Sequence, residues 1–147
     1  MSIVVYVASP YTVGNQSENV RRSIDMGEEL TKHHFTPILP LLSHFWGLVH
    51  PHEWDFWMTH DLELVKRSDC VLRLKGESKG ADLEVKSARE WNIPVYYTLD
   101  RLLLDTIPNI DPMSGKTVRS FIIPSPQSQH PPKPDPKNSL NFKGYGL

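Results

Sequence analysis

The chain has 147 residues, 39% of them apolar, and a net charge of −1. This length suits one domain around one core, and the balanced charge excludes the basic footprint of a protein that grips a nucleic acid polymer. One cysteine excludes an intramolecular disulfide framework, and no apolar run approaches the roughly 20 residues of a membrane span, so a cytoplasmic protein with no membrane partner is expected.

Ile3 to Ala8 is a continuous apolar run, the pattern of a strand covered on both faces. Ser9-Pro10-Tyr11-Thr12-Val13-Gly14-Asn15 breaks it with turn chemistry. Ser17 is the expected N-cap of a helix running to about His33, with Val20, Ile24, Gly27 and Thr31 facing the sheet. Phe35 to Leu41 reads as a second strand, and Pro37 and Pro40 push it towards an edge.

The segment 43–57 is rich in rings: Phe45, Trp46, Trp54, Phe56 and Trp57, with His44, His50 and His52 among them. A helix from Trp54 to Arg67 follows, bearing Met58, Leu62 and Val65 on one face, and residues 69–74 form the third strand. Cys70 lies inside that strand as a buried structural thiol. A further helix spans Gly80 to Trp91, with Ala81, Val85 and Ala88, before a fourth strand from Pro94 to Leu99. This alternation predicts an α/β fold, a three-layer flavodoxin-like or Rossmann-like domain with a mostly parallel sheet.

The character changes after about residue 106. Eight of the thirteen prolines lie between Pro108 and Pro136, so 107–147 is expected to be a Pro-rich extended or disordered tail. Within it, Val118 to Ile123 is a candidate edge strand. Phe142 and Tyr145 are candidates for docking on a neighbouring subunit of a homodimer or larger oligomer.

Glu84 follows the third strand by one short loop, which puts a carboxylate near the start of a helix at the ligand-binding edge of an open sheet. The positive end of that helix favours an ionised Glu84 able to act as a nucleophile. Asp61 is bracketed by apolar positions and is expected to point inwards, where two carboxylates sharing a site leave one protonated. Asp69 reads as structural, Asp82 as a helix-capping side chain, and Tyr6 as a candidate hydroxyl partner for Glu84. Gly80 permits close backbone approach, and Trp46, Trp54 and Trp57 offer stacking faces for a flat base or a subunit interface. The His50-x-His52 spacing carries no accompanying Cys pair or His-Glu-x-x-His, so no metal and no cofactor is expected.

Four pieces in this order resemble the nucleoside 2-deoxyribosyltransferase family and the related 2′-deoxynucleoside 5′-monophosphate N-hydrolases. They are Tyr6-Val7-Ala8-Ser9-Pro10-Tyr11, Asp61, Asp69-Cys70-Val71 and Ser78-x-Gly80-x-x-x-Glu84. The resemblance covers roughly residues 3–98. It implies that Glu84 attacks the anomeric carbon, that Asp61 assists at sugar and base, that Tyr6 orients the nucleophile, and that Ser78, Ser9 and Tyr11 contact substrate. Ser78 is similar to the serine that meets a 5′-phosphate in the hydrolases, whereas Ser9-Pro10-Tyr11-Thr12 departs from their Arg- and Gly-rich phosphate cradle. The implied activity is cleavage of the N-glycosidic bond of a 2′-deoxynucleoside with transfer of the sugar to another base or to water. Hydrolysis of the 5′-monophosphate is the alternative, and a non-catalytic nucleotide-binding module with a partner-recruiting tail is the rival from another class.

Overall fold

A computed structural model describes residues 1–122. The Pro-rich tract 131–136, Phe142 and Tyr145 lie outside the described residues. Four parallel strands, β1 (Val4–Ala8), β2 (Thr36–Ile38), β3 (Cys70–Arg73) and β4 (Val95–Tyr96), lie in the order β2-β1-β3-β4. That is the flavodoxin-like order with its switch point between β1 and β3, where such sheets take their ligands. Five helices connect and flank the strands: α1 (Gln16–Lys32), α2 (Ser43–Val49), α3 (Trp54–Lys66), α4 (Lys79–Glu90) and α5 (Leu99–Leu104).

The strand period of two sorts the core into two layers. Val5 and Val7 join Leu30, Phe35, Leu72, Tyr96 and Leu102 on one face of the sheet. Tyr6 and Ala8 join Val65, Val71, Ala81, Val85 and Ala88 on the other, beneath α3 and α4. Tyr6 is therefore carried to the α3–α4 face by its place in the pleat. Asp69 accepts from the Val4 amide at 2.7 Å and ties the start of β3 to β1, the structural role expected of it. Cys70 is buried and free.

Several local expectations are corrected. Asn15, not Ser17, caps α1, its side chain accepting from the Glu18 amide. The buried stripe of α1 is Val20, Ser23, Gly27 and Leu30, so Ile24 and Thr31 are exposed: the apolar face follows a three-then-four spacing rather than a run of fours. The second strand stops at Ile38, where a 3-10 turn at Pro40–Leu42 and then α2 take over. Its edge position is as Pro37 demands. The fourth strand is only two residues long, because the Thr98 hydroxyl caps α5 by accepting from the Arg101 amide.

The boundary expected at residue 106 falls inside an ordered hairpin. β5 (Thr106–Ile110) pairs antiparallel with β6 (Thr117–Phe121) in a separate two-stranded sheet, so the strand near Val118 is not an added edge of the main sheet. The Arg119 guanidinium fastens the hairpin, donating to the Thr106 hydroxyl at 2.8 Å and lying 5.4 Å over the Phe35 ring. Phe121 packs against the first core layer.

Candidate functional site

Tyr6 and Glu84 are 78 residues apart in sequence and meet in the layer between β1 and α4. The Tyr6 hydroxyl donates to Glu84 Oε1 at 2.9 Å, with both side chains buried. Glu84 is only 5% exposed. Burial pushes its carboxyl up to about 8, and the negative field of Asp61 adds to that rise; the Tyr6 hydrogen bond and the Arg73 charge pull the other way. Burial thus favours the protonated form of the resting Glu84.

This direction runs against the ionised form expected from the helix start, and the reason is positional. α4 starts at Lys79, capped by the Ser78 hydroxyl, which accepts from the Ala81 amide at 3.2 Å. Glu84 thus lies in the second turn, beyond the first-turn amides whose partial charge would stabilise an anion. Desolvation decides its state. Burial also raises Asp61 from its ordinary value, a rise opposed by His60, whose Nδ1 lies 3.0 Å from Asp61 Oδ1. The Tyr6 phenol is held well above its ordinary value by burial and then by the two carboxylates.

Arg73 was legible only as an interruption in an apolar run, yet it organises the turn that carries Ser78 and Glu84. Its buried guanidinium donates to the Leu74 and Gly76 carbonyls and to Asp82 Oδ1, the last at 2.9 Å. Asp82 is thereby an ion-pair partner of Arg73 and not the cap of α4. Gly76, at φ +132°, sits where an added Cβ would come within 2.7 Å of Pro10 Cγ. The turn after β3 and the loop after β1 are therefore in close contact.

In the loop after β1, buried Asn19 donates to the carbonyls of Tyr11 and Val13 and fixes the chain's path. Ser9 is buried and its Oγ has no hydrogen-bond partner among the described residues. Such an orphan hydroxyl is uncommon in a native interior. The Tyr11 hydroxyl and His44 Nδ1 share a hydrogen bond of 2.5 Å, which joins the loop to the start of α2. Gly80 faces Met58 of α3, where an added Cβ would lie 3.4 Å from the sulfur, so it serves close helix packing.

The aromatic segment forms one group. Trp46 meets Phe56, Trp57, His60 and His52 edge-to-face, with centroids 5.3–6.0 Å apart. His52 stacks on Phe56 at 3.8 Å. Trp54 opens α3 and is exposed. The structure thus brings Tyr6, Asp61 and Glu84 together and links them through His60 to Trp46 and Trp57. Two surface depressions, one beside α4 at Lys86, Arg89 and Tyr97 and one between His34 and the hairpin, do not include Glu84. Among the described residues no group of three or more His, Cys, Asp or Glu side chains is arranged to hold a metal ion, and no helix is long and apolar enough to cross a membrane.

No protein-family model and no curated protein matches the chain. Among solved structures it is similar to a 2-deoxyribosyltransferase from the psychrotolerant bacterium Bacillus psychrosaccharolyticus. The similarity has 19% identity and a TM-score of 0.46, over 69% of this chain and 80% of that one.

Proposed function

We propose that the protein cleaves the N-glycosidic bond of a 2′-deoxynucleoside and passes the sugar to a second base or to water, with Glu84 as nucleophile. The observation that carries this reading is the buried Tyr6–Glu84 hydrogen bond, with a second carboxylate, Asp61, near enough for its field to act on both groups. Desolvated acid pairs with one raised carboxyl are a device for moving a proton at neutral pH.

In this reading the proton that burial favours on Glu84 sets the order of events. Glu84 must give up that proton before an oxygen can attack the anomeric carbon, and Asp61 is the carboxylate whose field already acts on it. As the Glu84 oxygen forms its bond to the sugar, the electron pair of the C–N bond leaves with the base, which takes up the proton through Asp61. The resulting glycosyl ester is opened by a second base or by water, whose proton returns to the pair. Two displacements retain the configuration at the sugar carbon. Tyr6 holds one Glu84 oxygen so that the other is the attacking one. Ser9 and Tyr11 are sugar contacts in this reading, and the rings of Trp46 and Trp57, with exposed Trp54, receive the base. Ser78 acts chiefly by capping α4 and so fixing the turn before Glu84.

Because Glu84 is enclosed, substrate enters by displacing side chains. α2 contributes no buried residue to the core and has the least to lose by moving. Intact-mass spectrometry after mixing with a 2′-deoxynucleoside tests the reading: a deoxyribosyl adduct mapping to Glu84, absent in Glu84→Gln, is expected. Failure to form it, together with no base exchange, removes the proposal. Base release only from the 5′-monophosphate would assign the hydrolase activity instead.

A further inference from the structure

Resting on that reading of the site, we propose that His60 is a positioning residue for the carboxylate pair: it donates to Asp61 and ties that side chain to the ring group of α2 and α3. Neighbouring residues on a helix do not normally face each other. Here the His60 ring nevertheless folds over the side chain that follows it, placing Nδ1 3.0 Å from Asp61 Oδ1. A carboxylate only accepts, so the imidazole supplies the Nδ1–H. His60 is the hydrogen-bond partner of Asp61 among the described residues.

The other side of the imidazole meets Trp46 edge-to-face at 5.7 Å and Trp57 at 6.4 Å. One ring therefore touches both the surface offered to a base and the acid that would protonate it. The remaining groups around the pair come from three other elements: Tyr6 on β1, Glu84 on α4 and the Arg73 charge on β3. His52, stacked on Phe56, borders the ring group on its outer side. None of these makes the hydrogen bond that His60 makes.

The bond has a chemical consequence. A donor on Asp61 favours its anion, opposing the burial that raises it. The donor thus offsets part of that rise, so a proton that Asp61 receives passes to a leaving base more readily than it would without His60.

Two variants separate this role from packing. His60→Phe keeps a ring against Trp46 and Trp57 but removes the donor, whereas His60→Asn keeps a donor near the Nδ1 position and removes the ring. The carboxyl carbons of Asp61 and Glu84 are followed by 13C NMR against pH, alongside the pH profile of base exchange. We expect the Asp61 midpoint in His60→Phe to rise by about 0.5–1 pH unit and the exchange rate to fall with little change in KM, with His60→Asn close to wild type. An unchanged Asp61 midpoint in His60→Phe overturns the proposal, as does His60→Asn behaving like His60→Phe. If His60→Phe does not fold, His60→Ala against His60→Asn makes the same decision. A moved midpoint in a protein that exchanges no base would uphold the His60–Asp61 link and remove only the proposed activity.

Discussion

Arg73 and Asp82 meet at 2.9 Å across the turn that joins β3 to α4, but only one of them is buried: their side chains are 9% and 69% exposed. The pair is therefore asymmetric. Arg73→Met leaves the Leu74 and Gly76 carbonyls without their donor and should cost about 2 kcal/mol of stability. Asp82→Asn alters the exposed member, keeps an amide oxygen that can still accept from Arg73, and leaves the Leu74 and Gly76 carbonyls on the guanidinium, so it should cost less, about 1 kcal/mol. Urea unfolding of the two variants checks the ranking.

Removing the Tyr6 hydroxyl should act on the site more than on the fold. Tyr6→Phe keeps the buried ring but leaves Glu84 Oε1 without its donor. The Glu84 carboxyl then titrates above its present value of about 8. We expect a loss of about 1 kcal/mol in stability and a roughly tenfold slower exchange at pH 7, read by denaturation and by initial rates.

Stability should depend on pH through Glu84. Its ordinary value is 4.5 and its folded value about 8, so between these limits the folded chain holds a proton that the unfolded chain has lost. The stabilisation is complete below pH 4.5 and fades as pH rises through 8, with a slope of at most about 1.4 kcal/mol per pH unit. Asp61, also raised, adds a contribution of the same sign beginning at its ordinary 3.8. Glu84→Gln should flatten the upper part of this curve and be the more stable protein at pH 8. Thermal melts from pH 5 to 9 check it.

Ser9→Ala should separate binding from folding. Its hydroxyl is buried without a partner among the described residues, so deleting it should leave stability unchanged or raise it by up to about 1 kcal/mol. If that hydroxyl meets the sugar, KM for the deoxynucleoside should rise with kcat nearly constant.

The fold was legible because its signals were periodic. Ile3–Ala8 and Cys70–Leu74 announced central strands, and Met58, Leu62 and Val65 marked the inner face of α3 correctly. Motif order alone brought Tyr6, Asp61 and Glu84 into one reading. What sequence could not supply was depth: whether Glu84 is ionised turns on desolvation across a layer assembled from β1, α3 and α4, and on which helical turn it occupies. Arg73 was hidden because a lone charge inside an apolar strand shows no partner until the turn folds back on it. The hairpin was missed because Pro108 and Pro112 read as breakers, although a two-stranded ribbon tolerates proline on its free edge. His60 gave no signal of its own, because a bond to an adjacent side chain leaves no spacing signature.

The contact between Gly76 and Pro10 also constrains how such a chain can change over time. Any side chain at 76 would have to take up a left-handed backbone and push directly on the proline ring. Substitution at 76 becomes accessible only to descendants that have first trimmed residue 10, and the two positions should drift together or not at all. Gly76→Ala should accordingly be milder on a Pro10→Gly background than alone, keeping its backbone strain but losing the clash with the ring, which couples the two loops.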